Sequence, residues 1–527
     1  MHLIVACTPS RTTTLPTPIT PTVLPTLIAH QPLSERIWWR DAVFYEIFVR
    51  SFSDSNSDGI GDFNGITQKL DYLKSLGITA IWLMPIHPSP SYHGYDVVNY
   101  YTVNPQYGSM DDFKHLVDEA HARNIHIIID LVLNHTSIQH PWFADALSNP
   151  KTKYRDWYVW APSSSGNKWY QSAVGFYYAY FWEGMPDLNY LNPEVTSQME
   201  KMSSFWLTSV GVDGFRIDAA KHLIEEGKIL ENSASTHTWL KNYYAFYKTT
   251  KPEAYVVGEV GGAGGRIAET YSGQMDQIFN FELAGAIVSS AAGGANSSIT
   301  SAYKFALKEK PDGNYATFIT NHDQNRVMSQ MSTNVGKAKV AASLLLTAPG
   351  TPYIYYGEEV GLLGKKPDEN IRLPMQWTSE LGTAGFTNGI PWQLPGKNLA
   401  DMNVETEDKD PDSLLTHYRT LIGIRNRYHA LQTGSLTLLE TENPAVFASL
   451  RYENQETILV LINLGAKPVF DYKLSLSTPL LTDGIYPGEL LFGNGSLTPL
   501  KVNGETFMDY RPISELSPYS TTIFLIK

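Results

Sequence analysis

The chain carries a single cysteine, Cys7, in 527 residues. That excludes an intramolecular disulfide and any cysteine cage for a metal. Positive charge is also scarce: 40 Lys and Arg stand against 53 Asp and Glu, a net charge of −13, and no basic run is sustained. Nucleic acid is therefore not an expected partner. No apolar run reaches the roughly eighteen residues of a membrane-spanning helix, and no internal repeat is found. Aromatic residues, by contrast, are plentiful, with 12 Trp, 31 Tyr and 21 Phe. Core packing is their commoner use, but such wealth also suits stacking on the faces of sugars. The length predicts several domains, and an apolar fraction of 43% is enough for a large core.

The first residues are unusual. The run "LIVAC" ending at Cys7 resembles a bacterial lipoprotein lipobox, and "TPSRTTTLPTPITPTVLPTLIAHQP" after it is rich in Thr and Pro. Such a composition builds no core and favours extended, semi-rigid chain, as a tether would. Only six residues precede Cys7, with neither a basic stretch nor a full apolar one. The match is either an anchor or chance. That lipobox and tether adjoin in the right order favours a lipid anchor at Cys7 and an extracytoplasmic protein, membrane-attached or secreted.

Beyond residues 1–32, short β-rich runs alternate with amphipathic helical stretches, the pattern of a parallel α/β architecture. Eight runs read as strands: "AVFYEIFVRSF", "ITAIWLMPI", "IHIIIDLVL", "VDGFRID", "AYVVGEV", "MDQIFNF", "YATFITN" and "TPYIYYG". Between the first two, Ile66, Leu70, Leu73 and Leu76 recur at helical spacing, which predicts a helix with one buried stripe. Eight such units fit a closed (β/α)8 TIM barrel over 33–138 and 196–432. Residues 139–195 are rich in Trp, Tyr, Pro and Asn and show no helical period. They are too many for a βα loop and read as a domain inserted after the third strand. Over 433–527, "AVFASLRYE", "TILVLINL" and "STTIFLIK" are separated by Gly, Pro and Asn turns. This predicts a C-terminal antiparallel β-sandwich. A monomer is expected.

Catalytic groups of a barrel come from the C-terminal ends of its strands. The third run ends in "DLVLNH" (Asp130 to His135), the fourth in "GFRIDAAKH" (Gly214 to His222), the fifth in "GEV" and the seventh in "FITNHDQNR". Asp218, Glu259 and Asp323 thus gather on one face with Arg216, His135 and His322. One acid at a strand end is usually structural; three in this company predict chemistry. The glycine-rich "GEVGGAGGR" lacks the Walker lysine and a helix-opening G-x-G-x-x-G, and reads as a flexible loop beside the cleft. After the first strand, "DSNSDGIGD" sets Asp54, Asn56, Asp58 and Asp62 at alternating positions. Alternation suits a loop wrapped around calcium, which takes roughly six to eight oxygen ligands, yet these residue types are also ordinary loop formers. Spacing alone leaves both readings open.

In this order and at these strands, the segments resemble the signature regions of the α-amylase family of glycoside hydrolases, family 13, over nearly the whole chain after the tether. "GYD" (Gly94 to Asp96) and "MPDLN" (Met185 to Asn189) fall where that family has further markers. The latter resembles the form of a subgroup intermediate between oligo-1,6-glucosidases and neopullulanases. The resemblance implies Asp218 as nucleophile, Glu259 as general acid and then base, and Asp323 as a binder of the distorted sugar. It implies that Arg216 keeps Asp218 ionised and oriented, and that Tyr95, Asp96, His135 and His322 complete the subsite of the glucose being cleaved. It also implies Ca2+ as a structural cofactor, held by Asp54, Asn56, Asp58, Asp62 and the carbonyl of Ile60. A second family site would use Asn134, Asp187 and the carbonyl of His222, with a remaining ligand that the sequence does not reveal.

Linkage is less sharply marked. "AAKH", with Lys221 and His222 on the leaving side, resembles enzymes that cut α-1,4 bonds. "NHDQNR" and "NIRLPMQW", with Arg372 either near the non-reducing-end sugars or in a structural salt bridge, look closer to oligo-1,6-glucosidases. The expected activity is α-1,4 hydrolysis of α-glucans and maltooligosaccharides, with some transglycosylation. The alternatives are an α-glucosidase, a neopullulanase-like enzyme or a transglycosylase. A non-catalytic sugar-binding scaffold is a further reading, but such relatives usually lose one of the three carboxylates, and this chain keeps them all.

Overall fold

A computed structural model describes residues 37–164, 166–261, 270–310 and 312–527. The lipobox, Cys7 and tether lie outside the described residues, as does most of the glycine-rich loop. Eight parallel strands follow the eight runs recognised in the sequence: β1 (Phe44–Ile47), β2 (Ala80–Leu83), β3 (His126–Leu131), β4 (Gly214–Ile217), β5 (Tyr255–Gly258), β6 (Gln277–Ile278), β7 (Ala316–Phe318) and β8 (Thr351–Tyr355). Each pairs with its neighbours in chain order, and β8 pairs with β1. The ring closes through one bridge, Phe279 to Ala316, where the N–H of Asn280 also donates to the Ala316 carbonyl at 2.9 Å. This TIM barrel is thinnest at β6, where a seven-residue run shrinks to two paired residues.

Side chains alternate across a strand, and both sets are apolar here because both faces are covered. Phe44, Trp82, Ile128, Tyr255, Val257, Phe318 and Tyr353 form a core of their own, the filled lumen of the barrel. The opposite set, including Tyr45, Ile81, Ile127 and Phe215, packs outward against the helices. The first connecting helix, α1 (Phe63–Leu76), buries Ile66, Leu70, Leu73 and Leu76 as their spacing predicts. The Asp62 carboxylate caps it by accepting the Gly65 N–H, and Gly77, at φ 94°, ends it in the left-handed region that glycine tolerates.

The inserted segment holds a small antiparallel sheet of three strands, Trp160–Ala161, Trp169–Ser172 and Gly175–Tyr178. It also contains a helix, Pro141–Ser148, which the sequence reading did not expect. Two turns are too few to establish a period, and the telling signals were local: Pro at the first turn and His140 as cap. The C-terminal region builds a five-stranded antiparallel sheet around Val446–Glu453, Glu456–Asn463 and Thr521–Ile526, with two short two-stranded ladders facing it. A separate apolar core lies between these layers.

Two buried arginines have main-chain carbonyls as partners: Arg451 reaches from the C-terminal module to the barrel, and Arg425 ties together segments of the barrel itself. Arg425 donates to Leu346, Ala348, Gly350 and Gln432, and Arg451 to Thr347 and Gly434. Replacing Arg425 with Met strands several buried acceptors. Thermal unfolding should show the variant destabilised by about 3 kcal/mol; an unchanged melting temperature would mean that the carbonyls find other partners.

Candidate active site

Strand register decides which side chains meet above the lumen core. Asp130 of β3 lies directly opposite Arg216 of β4, and Ile217 lies opposite Gly258 of β5. One step further along these two strands stand Asp218 and Glu259, on neighbouring strands spaced about 4.8 Å apart. All three acids therefore face one guanidinium. Arg216 Nη1 bonds Asp130 Oδ1 at 2.7 Å and Asp218 Oδ1 at 2.8 Å, and Nη2 bonds Glu259 Oε2 at 2.6 Å. Arg216 is 1% exposed, so water reaches these contacts only from the side of Glu259, whose side chain is 23% exposed. The next residue, Ala219, sits at φ 47°, a left-handed conformation costing about 1–2 kcal/mol for a residue with a Cβ. That turn presents its N–H to Glu259 Oε2 at 3.3 Å.

Two of these acids are buried against one cation. Burial lifts Asp218, Arg216 pulls it down, and Glu259 and Asp130 lift it again, leaving its pKa up at about 8. Burial likewise raises Asp130, against the pull of Arg216. Three carboxylates around one guanidinium cannot all ionise cheaply, so the cluster keeps a proton at neutral pH.

A second ionic group forms at the ends of β1, β7 and β8. His322 Nδ1 lies 2.5 Å from Glu46 Oε1, and its Nε2 lies 3.2 Å from Asp323 Oδ2 and 2.6 Å from Tyr95 Oη. Burial works against the imidazolium, but Asp323 and Glu46 outweigh it and raise its pKa. Lost hydration in the cleft would lift Asp323, yet His322 and Arg372 hold it below the ordinary carboxylate range. Arg372 is buried and bonds Asp323 Oδ1 at 3.0 Å, Asp368 Oδ2 at 3.4 Å and the carbonyl of His322 at 3.0 Å. Of its two expected uses, the salt bridge is present.

These groups line one cleft of about 470 Å3 that takes in Tyr95, His135, Asp218, Lys221, His222, Glu259, Asp323 and Arg372. Lys221 is paired with Glu231 at 2.6 Å, and His222 Nδ1 faces the Leu230 carbonyl at 3.0 Å. Burial pushes His135 down to about 3, so its ring is neutral, and Nε2 faces the Tyr95 carbonyl at 3.2 Å. His322 and Arg216, both buried, are not part of this lining, and neither is Asp96. It is buried, accepts hydrogen bonds from Ser89 and Ser91, and braces the loop that carries Tyr95.

The loop after β1 is stitched by its own side chains. Asp54 accepts the N–H groups of Asn56, Ser57 and Gly59, Asn56 accepts that of Asp58, and Asp58 that of Ile60. Asp54 and Asp62 are buried while Asn56 and Asp58 are exposed. Among the described residues no three His, Cys, Asp or Glu side chains form a metal cage, so a cation here would rest on a mixed set that includes the Asn56 amide and the Ile60 carbonyl. At the junction with the inserted segment, the Asn134 amide donates to the His222 carbonyl at 2.7 Å and to Asp187 at 3.3 Å. Glu225, which sequence reading passed over, is close enough to help burial raise Asp187, and its buried Oε1 has no partner.

With this geometry in view, comparison with known proteins is informative. The family model "Alpha amylase, catalytic domain" matches residues 46–434. The chain belongs to the α-amylase family and is a glycoside hydrolase. It is 44% identical over 437 residues to Alpha-amylase 3 of Dictyoglomus thermophilum, covering 81% of this chain and 85% of the relative. It is 32% identical over 522 residues to the oligo-1,6-glucosidase of Parageobacillus thermoglucosidasius, covering 83% and 92%. The crystal structure of an α-amylase from H. orenii superposes with a TM-score of 0.81 at 40% identity, covering 92% of this chain and 99% of that one. A trehalulose synthase from Pseudomonas mesoacidophila also reaches 0.81, at 28% identity, covering 94% and 100%. The mixture of α-amylase and oligo-1,6-glucosidase relatives agrees with the intermediate subgroup that "MPDLN" suggested.

The proton held by the cluster sets a pH dependence. Activity that needs one protonated carboxyl in this cluster should fall once alkaline pH removes that proton. Asp130→Asn removes one of the charges that raise the cluster's pKa, so the alkaline limb of kcat/KM should move to lower pH. A limb that stays put or moves up would show that Asp130 does not act on the cluster electrostatically.

Proposed function

We propose that the chain is a retaining hydrolase of α-1,4-glucosidic bonds in starch and maltooligosaccharides. One observation carries this reading: Asp218 and Glu259 share the Arg216 guanidinium from adjacent positions on neighbouring strands. Carboxyls held this way on neighbouring strands are compatible with the roughly 5 Å separation that a double displacement uses.

In the first half, Asp218 attacks the anomeric carbon while Glu259 gives its proton to the departing glycosidic oxygen, and a glycosyl ester forms on Asp218. In the second, Glu259 takes a proton from water as that oxygen attacks the same carbon and releases Asp218. A sugar hydroxyl in place of water gives transglycosylation. Arg216 bonds both carboxyls and holds them in place. Asp323, kept ionised by His322 and Arg372, binds the hydroxyls of the distorted sugar, with Tyr95 and His135 at its faces and Asp96 holding Tyr95's loop. The α-1,4 preference is supported by Lys221 and His222 on the leaving side and by the identity to Alpha-amylase 3. Relatives named for α-1,6 cleavage and for trehalulose synthesis keep an α-glucosidase or transglycosylase as the second reading.

Glu259→Gln is expected to lower turnover of maltotetraose by about 10²–10⁴-fold, and wild-type products from starch, pullulan, maltotriose and isomaltose should be those of α-1,4 cleavage. Tight glucan binding by wild type without turnover would instead favour the scaffold reading.

Calcium belongs to this proposal. Asp54, Asn56, Asp58, Asp62 and the Ile60 carbonyl are hard oxygen donors on one loop. Asn134, Asp187, the His222 carbonyl and Glu225 are a second set, supported by the orphaned Glu225 oxygen. Bound there, the ion supplies stability rather than chemistry. Chelation should lower the melting temperature by about 5 °C; equal melting temperatures with and without chelator would count against both sites. An extracytoplasmic location, tethered through Cys7, fits a polymeric substrate that does not enter cells.

A further inference from the structure

The acid on β1 is not among the residues that line the cleft. Glu46 lies mid-strand, opposite Trp82 of β2 and Tyr355 of β8, and its Oε1 meets His322 Nδ1 at 2.5 Å. Its side chain is 2% exposed and that of His322 1%. A carboxylate at such depth is costly without a cationic partner. Among the described residues His322 is the one basic side chain within ion-pair distance of it.

From this pair the contacts run outward along two branches. One reaches the cleft: His322 Nε2 lies 3.2 Å from Asp323 Oδ2, and the Asp323 side chain is 44% exposed. The other reaches the catalytic cluster: Nε2 lies 2.6 Å from Tyr95 Oη, the Tyr95 hydroxyl donates to Asp130 Oδ2 at 3.3 Å, and Arg216 Nη1 bonds the other Asp130 oxygen at 2.7 Å. The direction of these bonds depends on how many protons the ring carries. With two, Nδ1–H donates to Glu46, Nε2–H to Tyr95 Oη or Asp323, and the tyrosine proton is left for Asp130. Charge then alternates from barrel wall to cleft through Glu46, His322, Asp323 and Arg372. With one proton, held on Nδ1 by Glu46, Nε2 becomes an acceptor and takes the tyrosine proton. Asp130 then loses that bond and Asp323 loses a neighbouring cation.

The groups facing the ring decide between these states. Burial and Arg216 oppose the second proton, while Asp323 and Glu46 favour it. Asp323 is half open to water and shares its charge with Arg372. Trp82 presents an edge at 5.5 Å, and Arg372 reaches the His322 carbonyl rather than the ring. Behind Glu46 stand Tyr353, Tyr355 and Glu358, none of which brings a positive charge. The buried carboxylate is thus the partner whose charge the ring has to itself.

We infer that Glu46 is a positioning residue for glycoside hydrolysis: it keeps both ring protons on His322, which fixes Asp323 as an anion at the cleft and turns the Tyr95 hydroxyl toward Asp130. Glu46 acts through His322 and does not meet the sugar. The inference rests on Asp323 binding the distorted sugar in the retaining reading, and adds to it the residue that sets the charge there.

Glu46→Gln keeps an oxygen for Nδ1–H and removes the charge. Two-bond proton–nitrogen correlation spectra of protein carrying isotope-labelled histidine read the ring directly, with His322 assigned by its loss in His322→Gln. In wild type both ring nitrogens should be protonated at about pH 7, whereas in Glu46→Gln Nε2 should gain its proton only below the ordinary histidine value of about 6.5. Activity on maltotetraose should follow the ring. At about pH 7 Glu46→Gln should lose about tenfold in kcat. Most of it should return as pH falls toward about 5, through a window where wild type changes little. Added to His322→Gln, the same change should cost less than about twofold more, because both act through one ring. Wild-type turnover of maltotetraose tests the hydrolase reading by itself, and the wild-type spectrum stands even if Glu46→Gln fails to fold. A wild-type ring that loses a proton at the ordinary histidine pH, a loss in Glu46→Gln that is the same at every pH, or additive costs of the two changes would overturn the assignment and leave the hydrolase reading standing.

Discussion

One buried guanidinium organises this site. Arg216 is the only cation within bonding distance of Asp130, Asp218 and Glu259 among the described residues, and each contact is shorter than 3 Å. A planar fork with two separated donor nitrogens can hold carboxylates from β3, β4 and β5 at once, which the point charge of a lysine does not do. The packed, apolar lumen beneath keeps water away from its underside, so the interaction is strong, and the unbalanced negative charge retains a proton. The barrel's register is what allows it: a slip of one residue in β4 would turn Arg216 and Asp218 outward together.

The two flanks of the cleft differ in kind. Beyond β7 and β8 lies an ionic network in which Glu46, His322, Asp323, Arg372 and Asp368 fix one another's positions. Beyond β4 lies a flank of rings, with Tyr180 against His222 and Phe181 between His135 and His222. The fold supplies the first from strand ends and the second from the inserted segment, which is free to vary without disturbing the barrel.

The eight strands were legible because each is a short apolar run ended by polar residues, and the reactive residues sit where those runs stop. Asp218, Glu259 and Asp323 could therefore be brought to one face before any coordinates. Asp130 was not singled out, although it opens the segment "DLVLNH" that ends in His135, because an acid embedded in "HIIID" shows no partner until β3 is aligned with β4. Glu46 was hidden for the same reason: its partner, His322, is 276 positions away. Glu225 lies in a loop without periodicity, and Phe181 and Trp182 looked like any other aromatics in an aromatic-rich segment. Exposure distinguishes them, and exposure is a property of the folded chain. The inward brace made by Asp96 was equally invisible, since it depends on serines whose orientation the sequence does not fix.

The central claim is that Asp218 carries the sugar between two displacements while Glu259 moves the proton. Mass spectrometry of the protein after brief reaction with 2-deoxy-2-fluoro-α-maltosyl fluoride, a substrate whose fluorine slows release of the ester, addresses it most directly. The glycosyl mass should appear on the peptide containing Asp218 and be absent in Asp218→Asn. A label on Glu259 or Asp323, or turnover to products of inverted configuration with no labelled peptide, would contradict it.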